Sequence, residues 1–265
     1  MARPLAVVTG ASSGIGLALA RELATRGYDL AICSSGERLE EAAESLRSIG
    51  TEVVDVQADL ATRDGVKKFW DEVTSLNRDM DVACINAGVG VGGLFADTDL
   101  EQELNMVNLN CAGTVQMAKY LVQHMTSRNR GRMLFTASIA GEMVAPREAV
   151  YAATKAFDLS LAHSIRYELR EMKVSVTALQ PGPTDTDFFH RAGMDNTQVG
   201  SEGKKESSAE EVAKQGIDAL LAGKDHVYAA SMKTKLEGMV ANVVPGAVKG
   251  AMHEKMAKPK TAGSE

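Results

Sequence analysis

The sequence predicts a single-domain, doubly wound α/β fold built on about seven parallel strands. Short apolar runs alternate with amphipathic segments almost from end to end. Most of those runs are apolar without polar alternation, as expected of strands covered on both faces. The first six are each followed by a helical pattern or crossover, and right-handed connections place such helices on both sides of the sheet. With 265 residues, 45% of them hydrophobic and 24% charged, the chain can bury one large core.

In chain order, strands are expected at Leu5 to Thr9, Asp29 to Cys33, Glu52 to Val56, Val82 to Ile85, Arg132 to Thr136, Val174 to Leu179 and His226 to Ala229. Helices are expected at Ile15 to Thr25, Glu37 to Ser48, Arg63 to Leu76, Leu100 to Ser127, Tyr151 to Glu171 and Ala209 to Leu221. One stretch breaks the rhythm. Pro181 to Ser208 is rich in Gly, Asp, Thr, Ser and Lys, and carries Phe188-Phe189 and Met194. A long irregular connection of this kind reads as a substrate lid, residues 183–208. A tail, 231–265, follows the last strand. Its Leu236, Met239, Val240, Val243 and Val244 fit one helix face, and Pro245-Gly246 would break that helix.

The formal net charge is −6 and no block of basic residues occurs, which argues against nucleic acid as a partner. Three cysteines without C-x-x-C spacing suggest a reducing compartment, no disulfide framework and no metal site. Met-Ala-Arg-Pro runs straight into the first strand, leaving no room for a signal peptide. No stretch approaches the ~18 apolar residues of a membrane span. A cytoplasmic location is the expectation.

Two motifs carry chemistry. The first strand ends in Thr9-Gly10-Ala11-Ser12-Ser13-Gly14-Ile15-Gly16 and a helix begins at once. Glycines allow the tight turn and the close approach of a pyrophosphate, which the helix N-terminus attracts. No Lys ends the loop, which sets aside nucleotide hydrolysis. The second motif is Ser138 with Tyr151 and Lys155. Four residues apart, Tyr151 and Lys155 share one helix face, and an ammonium beside a phenol favours phenolate. A Y-x-x-x-K pair alone also describes an ordinary surface helix. Ser138, however, stands at the C-terminal end of a strand, where open α/β sheets bind ligands.

With Asn86-Ala87-Gly88 and Pro181-Gly182 added, the chain resembles the classical short-chain dehydrogenases/reductases from about Leu5 to Thr186. The resemblance implies a Rossmann-type dinucleotide-binding domain. It makes Tyr151 the acid and base, Ser138 the group that orients the carbonyl oxygen, and Lys155 a ribose ligand that lowers the Tyr151 pKa. Asn110, opening Asn110-Cys111-Ala112-Gly113, matches the family's relay asparagine, with Asn108 the runner-up. It further implies cofactor contacts from Gly10, Ser12, Ser13, Gly14, Ile15, Gly16, Ser34, Ser35, Asp59, Asn86, Ala87, Gly88, Tyr151, Lys155, Pro181, Gly182, Thr184 and Thr186. Asp59 also reads as an exposed loop acid. The second strand ends Cys33-Ser34-Ser35 without the acid that NAD users place there. NADP(H) is therefore favoured and NAD(H) stays open, although the basic residue that NADP users carry near Ser34 or Ser13 is missing.

Met143, Phe188 and Phe189 are expected in the substrate pocket, with Val89, Val91, Leu94, Val144 and Met194 beside them. Phe188 and Phe189 equally suit a role pinning the lid to the sheet. The apolar set points to a lipophilic ketone or secondary alcohol, and the scattered histidines to no chemistry. Small residues Ala112, Gly113, Ala118, Ala152, Ala153 and Ala156 fit a close subunit interface, hence a homodimer or homotetramer. The rival reading is a catalytically silent NAD(P)-binding regulator or scaffold.

Overall fold

In the computed structural model, residues 3–194, 196–197, 207–229 and 246–259 are described. Seven parallel strands form one sheet in the order β3-β2-β1-β4-β5-β6-β7. They are β1 Leu5–Thr9, β2 Asp29–Ser34, β3 Val53–Gln57, β4 Met80–Ile85, β5 Gly131–Thr136, β6 Val174–Pro181 and β7 His226–Ala229. β1 and β4 are neighbours, so the strand order reverses direction between them. A crevice opens at such a switch point, beyond the strands' C-terminal ends.

Helices α1 (Gly14–Thr25), α2 (Leu39–Arg47) and α8 (Ala209–Leu221) bury one face of the sheet. Their Leu19, Leu23, Leu46, Val212 and Ile217 pack on Val8, Ile32, Cys84 and Leu179. On the other face lie α3 (Arg63–Ser75), α5 (Thr114–Ser127) and α6 (Ala149–Glu168), whose Phe69, Leu121 and Leu159 pack on Val7, Phe135 and Val176. The period-two alternation of Cβ directions sends Val7 to one layer and Val8 to the other. An apolar run without polar alternation is what this requires.

The expected helix Leu100 to Ser127 is not continuous. It divides into α4 (Leu100–Val107), a π-helical segment Asn108–Gly113 and α5. A methyl group at Gly113 would overlap the Leu60 carbonyl oxygen, so only glycine lets this segment pass the β3–α3 loop. The described part of the lid contains one helical turn, α7 (Phe188–Arg191), and a bridge from Asp185 to Ser208. The expected apolar face from Leu236 to Val244 lies outside the described residues. Beyond it, α9 (Gly246–Ala257) packs Ala257 against Ala192 and Met194 of the lid. Among the described residues no helix is long and apolar enough to cross a membrane.

Candidate active site

A cleft of about 270 Å³ opens over the C-terminal ends of β1, β4, β5 and β6. Its floor is the β1–α1 turn. Gly10 has φ 69°, and a Cβ there would lie 2.8 Å from the Ala87 Cα; a Cβ at Gly16 would overlap the Gly10 carbonyl oxygen. The turn therefore closes only on hydrogen. The amides of Gly10 and Ala11 are held by the Cys33 carbonyl. Helix α1 then starts with no side-chain cap and no acid in its first turn, whereas Thr62, Asp99 and Ser208 cap α3, α4 and α8. Free N–H groups and the positive end of the dipole are left facing the cleft. The donor set fits the pyrophosphate of a dinucleotide.

Gly10, Ser12, Ser13, Gly14, Ile15, Gly16, Ser34, Ser35, Asp59, Asn86, Ala87, Gly88, Pro181, Gly182, Thr184 and Thr186 all line this cleft. Asn86 also ties the strands beneath it. Its amide donates to the Thr9 carbonyl at 3.1 Å and accepts from the Thr136 hydroxyl at 3.0 Å, locking β1, β4 and β5 together at the turn.

The catalytic candidates meet at the centre. Ser138 ends the β5 extension, where its hydroxyl accepts from the Ala140 N–H at 3.1 Å and bonds to the Tyr151 phenol. Lys155 is buried, its Nζ 6.0 Å from the Tyr151 ring centroid and donating to the Thr136 carbonyl at 2.8 Å. Desolvation pushes the Tyr151 pKa up. Lys155 and the Ser138 bond pull it down; Glu148 and Asp158 add to the rise, and the balance stands above the ordinary phenol value. The expected lowering by Lys155 is present but outweighed.

Asn110 is fully buried and does not line the cleft. Its Oδ1 accepts from the Val89 N–H and its Nδ2 donates to the Val89 carbonyl and the Thr154 hydroxyl, each at 3.0 Å. A Cβ on Gly88 would lie 3.2 Å from Asn110 Oδ1 and 3.4 Å from Lys155 Nζ, so the two groups converge behind that glycine. The runner-up, Asn108, is exposed.

Met143, Phe188 and Phe189 line the cleft with Val89, while Val91, Leu94, Val144 and Met194 do not. Leu94 and Val144 are exposed, and Met194 is buried between the lid and Ala257 of α9. Phe188 packs over Gly90, where a methyl would strike its ring, and its centroid stands 5.2 Å from that of Tyr151. Two wall residues come from α9, which sequence reasoning did not connect to the site. They are His253 and Met256. The motif-free tail gives no local signal that it returns over the cleft. Arg147 pairs with Glu254 of α9 at 3.0 Å. Of the small residues expected at a subunit interface, Gly113, Ala118 and Ala152 are buried within the chain, leaving Ala112 and Ala153 exposed.

The model of the short chain dehydrogenase family matches residues 4–197. The 1-deoxy-11-beta-hydroxypentalenate dehydrogenase of Streptomyces exfoliatus is 36% identical over 227 residues, spanning 84% of this chain and 81% of that protein. A short-chain dehydrogenase from Sphingobium yanoikuyae, solved with NADPH, superposes with a TM-score of 0.80 at 25% identity, over 99% of this chain and 98% of that one. An alcohol dehydrogenase from Thermococcus sibiricus, complexed with 5-hydroxy-NADP, gives 0.74 at 27% identity, over 86% and 97%.

Proposed function

This chain belongs to the short-chain dehydrogenase family, and on that footing we propose that it interconverts a lipophilic ketone and a secondary alcohol. In this reading NADP(H) is the cofactor and Tyr151 the acid and base. The observation that carries it is the meeting of Ser138, Tyr151 and Lys155 in one cleft that the β1–α1 turn also lines. The nicotinamide supplies or takes the hydride. Tyr151 gives its proton to the carbonyl oxygen, Ser138 holds that oxygen, and Lys155 binds ribose hydroxyls. Asn110 positions the Gly88–Val89 backbone through its paired bonds to Val89. Val89, Met143, Phe188, Phe189 and Met256 give the substrate end an apolar wall.

NADP(H) is supported by two cations that meet beside the glycine turn, Arg191 from the lid and Arg38 from the β2–α2 connection. Arg191 donates to the Ser13 hydroxyl at 3.4 Å, and Arg38 pairs with Asp187 at 2.7 Å. Burial and then the neighbouring Arg38 charge push Arg191 below its usual pKa. Two guanidiniums share one carboxylate there, and a 2′-phosphate would supply the missing anion. Exposed Leu100, Leu104, Val115 and Phe157 on α4, α5 and α6 support a homo-oligomer. The cysteines support a reducing, cytoplasmic setting: all three are free, and burial pushes Cys33 and Cys84 up to about 12.

The test is oxidation of NADPH, followed by absorbance, over a panel of lipophilic ketones and aldehydes. Turnover by the wild type and none by Tyr151→Phe that still binds NADPH is the expected result. Equal turnover by both overturns the assignment of Tyr151; cofactor binding with no turnover across the panel by either favours the silent regulator.

A further inference from the structure

Three residues beyond Lys155, on the same face of α6, stands a carboxylate. Asp158 Oδ2 accepts from Lys155 Nζ at 3.0 Å, and the two side chains are only 6% and 5% exposed. The other oxygen, Oδ1, is buried and has no hydrogen-bond partner among the described residues. Burying a carboxylate with half of its acceptor capacity unused is costly, and an aliphatic side chain would pack there at lower cost. Packing therefore does not account for the acid. Its partner does: Lys155 is a buried cation that donates to the Thr136 carbonyl and to Asp158. Both acceptors are fixed, one on β5 and one on α6, so they aim the ammonium.

We propose that Asp158 is a positioning residue for proton transfer: it keeps Lys155 charged and aimed, and its own negative charge holds the proton on Tyr151. This rests on the reading of Tyr151 as the acid. The directions agree with the geometry. Desolvation lowers the Lys155 pKa, but Asp158 and Tyr151 reverse that and leave it above its usual value. Burial raises Asp158, with Lys155 opposing.

The other titratable groups around this unit are few. Glu148, just ahead of α6, and Cys111, from the π-helical segment, act on Tyr151 and Lys155 respectively. His253, from α9, reaches the unit only through Glu148. Glu142, beside Ser138, takes bonds from Gln180 and Tyr228, and Glu103 of α4 takes one from Thr98.

The experiment compares pH profiles of alcohol oxidation for wild type and Asp158→Asn, which keeps an acceptor for Lys155 and removes the charge. A phenolate titration by ultraviolet difference, referenced to Tyr151→Phe, is run on the cofactor-free proteins. Both midpoints should fall by about one pH unit in Asp158→Asn, because the anion that opposes phenolate is gone. Asp158→Glu, which restores the charge, should return them toward wild type. If Asp158→Asn is too unstable to measure, Asp158→Glu and Asp158→Leu are compared, and only the former should keep the wild-type midpoint. Unmoved midpoints in a folded charge-removing variant overturn the inference while leaving Tyr151 as the acid. An active Tyr151→Phe overturns the reading beneath it.

Discussion

His253 Nε2 lies 2.8 Å from Glu148 Oε2, both side chains 6% exposed, and this bond ties α9 to the residue just ahead of α6. Glu148 stands three residues before Tyr151 and raises the proton affinity of that phenol. The wall that closes the cleft from the C-terminal side is thus anchored beside Tyr151. His253→Ala leaves Glu148 buried without this partner, at a cost of about 1–3 kcal/mol. Thermal melting should fall accordingly. KM for an apolar ketone should rise several-fold as α9 loosens, with kcat for reduction within about twofold. Loss of kcat at unchanged KM would instead place His253 in the chemistry.

Asp29 anchors the start of β2. It accepts from Arg78 at 2.7 Å and from Thr51 at 3.3 Å. Burial pushes its carboxyl up, but the Arg78 bond, the Glu52 amide and the Arg78 charge outweigh that and hold it below 3.8. A folded-state value below the unfolded one gives stability that is complete above about pH 4 and lost as pH falls through the folded value. Arg78→Ala should therefore cost about 1–2 kcal/mol in urea unfolding at pH 7. The gap to wild type should close as both are titrated toward pH 2. A gap independent of pH would mean that Arg78 acts by packing alone.

The sheet is legible in the sequence because its central strands are buried on both faces, so the alphabet of Leu5 to Val8 or Met133 to Phe135 admits no polar residue. The motif residues are legible because turn and helix geometry hold them close in sequence, as with Gly10 and Gly16 or Tyr151 and Lys155. Asp158 offers the same kind of signal, the i,i+3 spacing from Lys155, and only its burial distinguishes it from a solvated acid. The π-helical turn at Asn108–Gly113 is hidden, since one inserted residue barely alters an apolar pattern. Hidden too are contacts made by chain return. Arg191 meets Ser13 across 178 positions, and His253 meets Glu148 across 105. No local periodicity records such pairs.

The first of those returns bears on cofactor choice. Because Arg191 comes from the lid and Ser13 from the glycine turn, a 2′-phosphate bound between them would also hold the lid down. Arg191→Ala should raise KM for NADPH about tenfold, the worth of one charge-assisted contact of roughly 1.4 kcal/mol. KM for NADH should stay within about twofold, and KM for the ketone should rise only in the NADPH reaction. Equal losses with both cofactors would show that Arg191 braces the lid without reading the phosphate.

The two directions of the reaction should respond oppositely to pH. With Tyr151 as the proposed acid, reduction needs it protonated, and its pKa is raised from 10 by desolvation. Its rate should therefore be flat through neutrality and fall only above about pH 10. Oxidation needs the phenolate, so its rate should climb about tenfold per pH unit across the same range. Ser138→Ala removes a bond that favours the phenolate. It should move the oxidation limb to still higher pH, beyond the loss of kcat that follows from an unoriented carbonyl. Solvent-exchange controls and a pH-independent second substrate separate this limb from general inactivation. An oxidation limb centred near neutral pH would mean that Lys155 outweighs desolvation once substrate is bound, and that the balance drawn from the free cleft does not govern turnover.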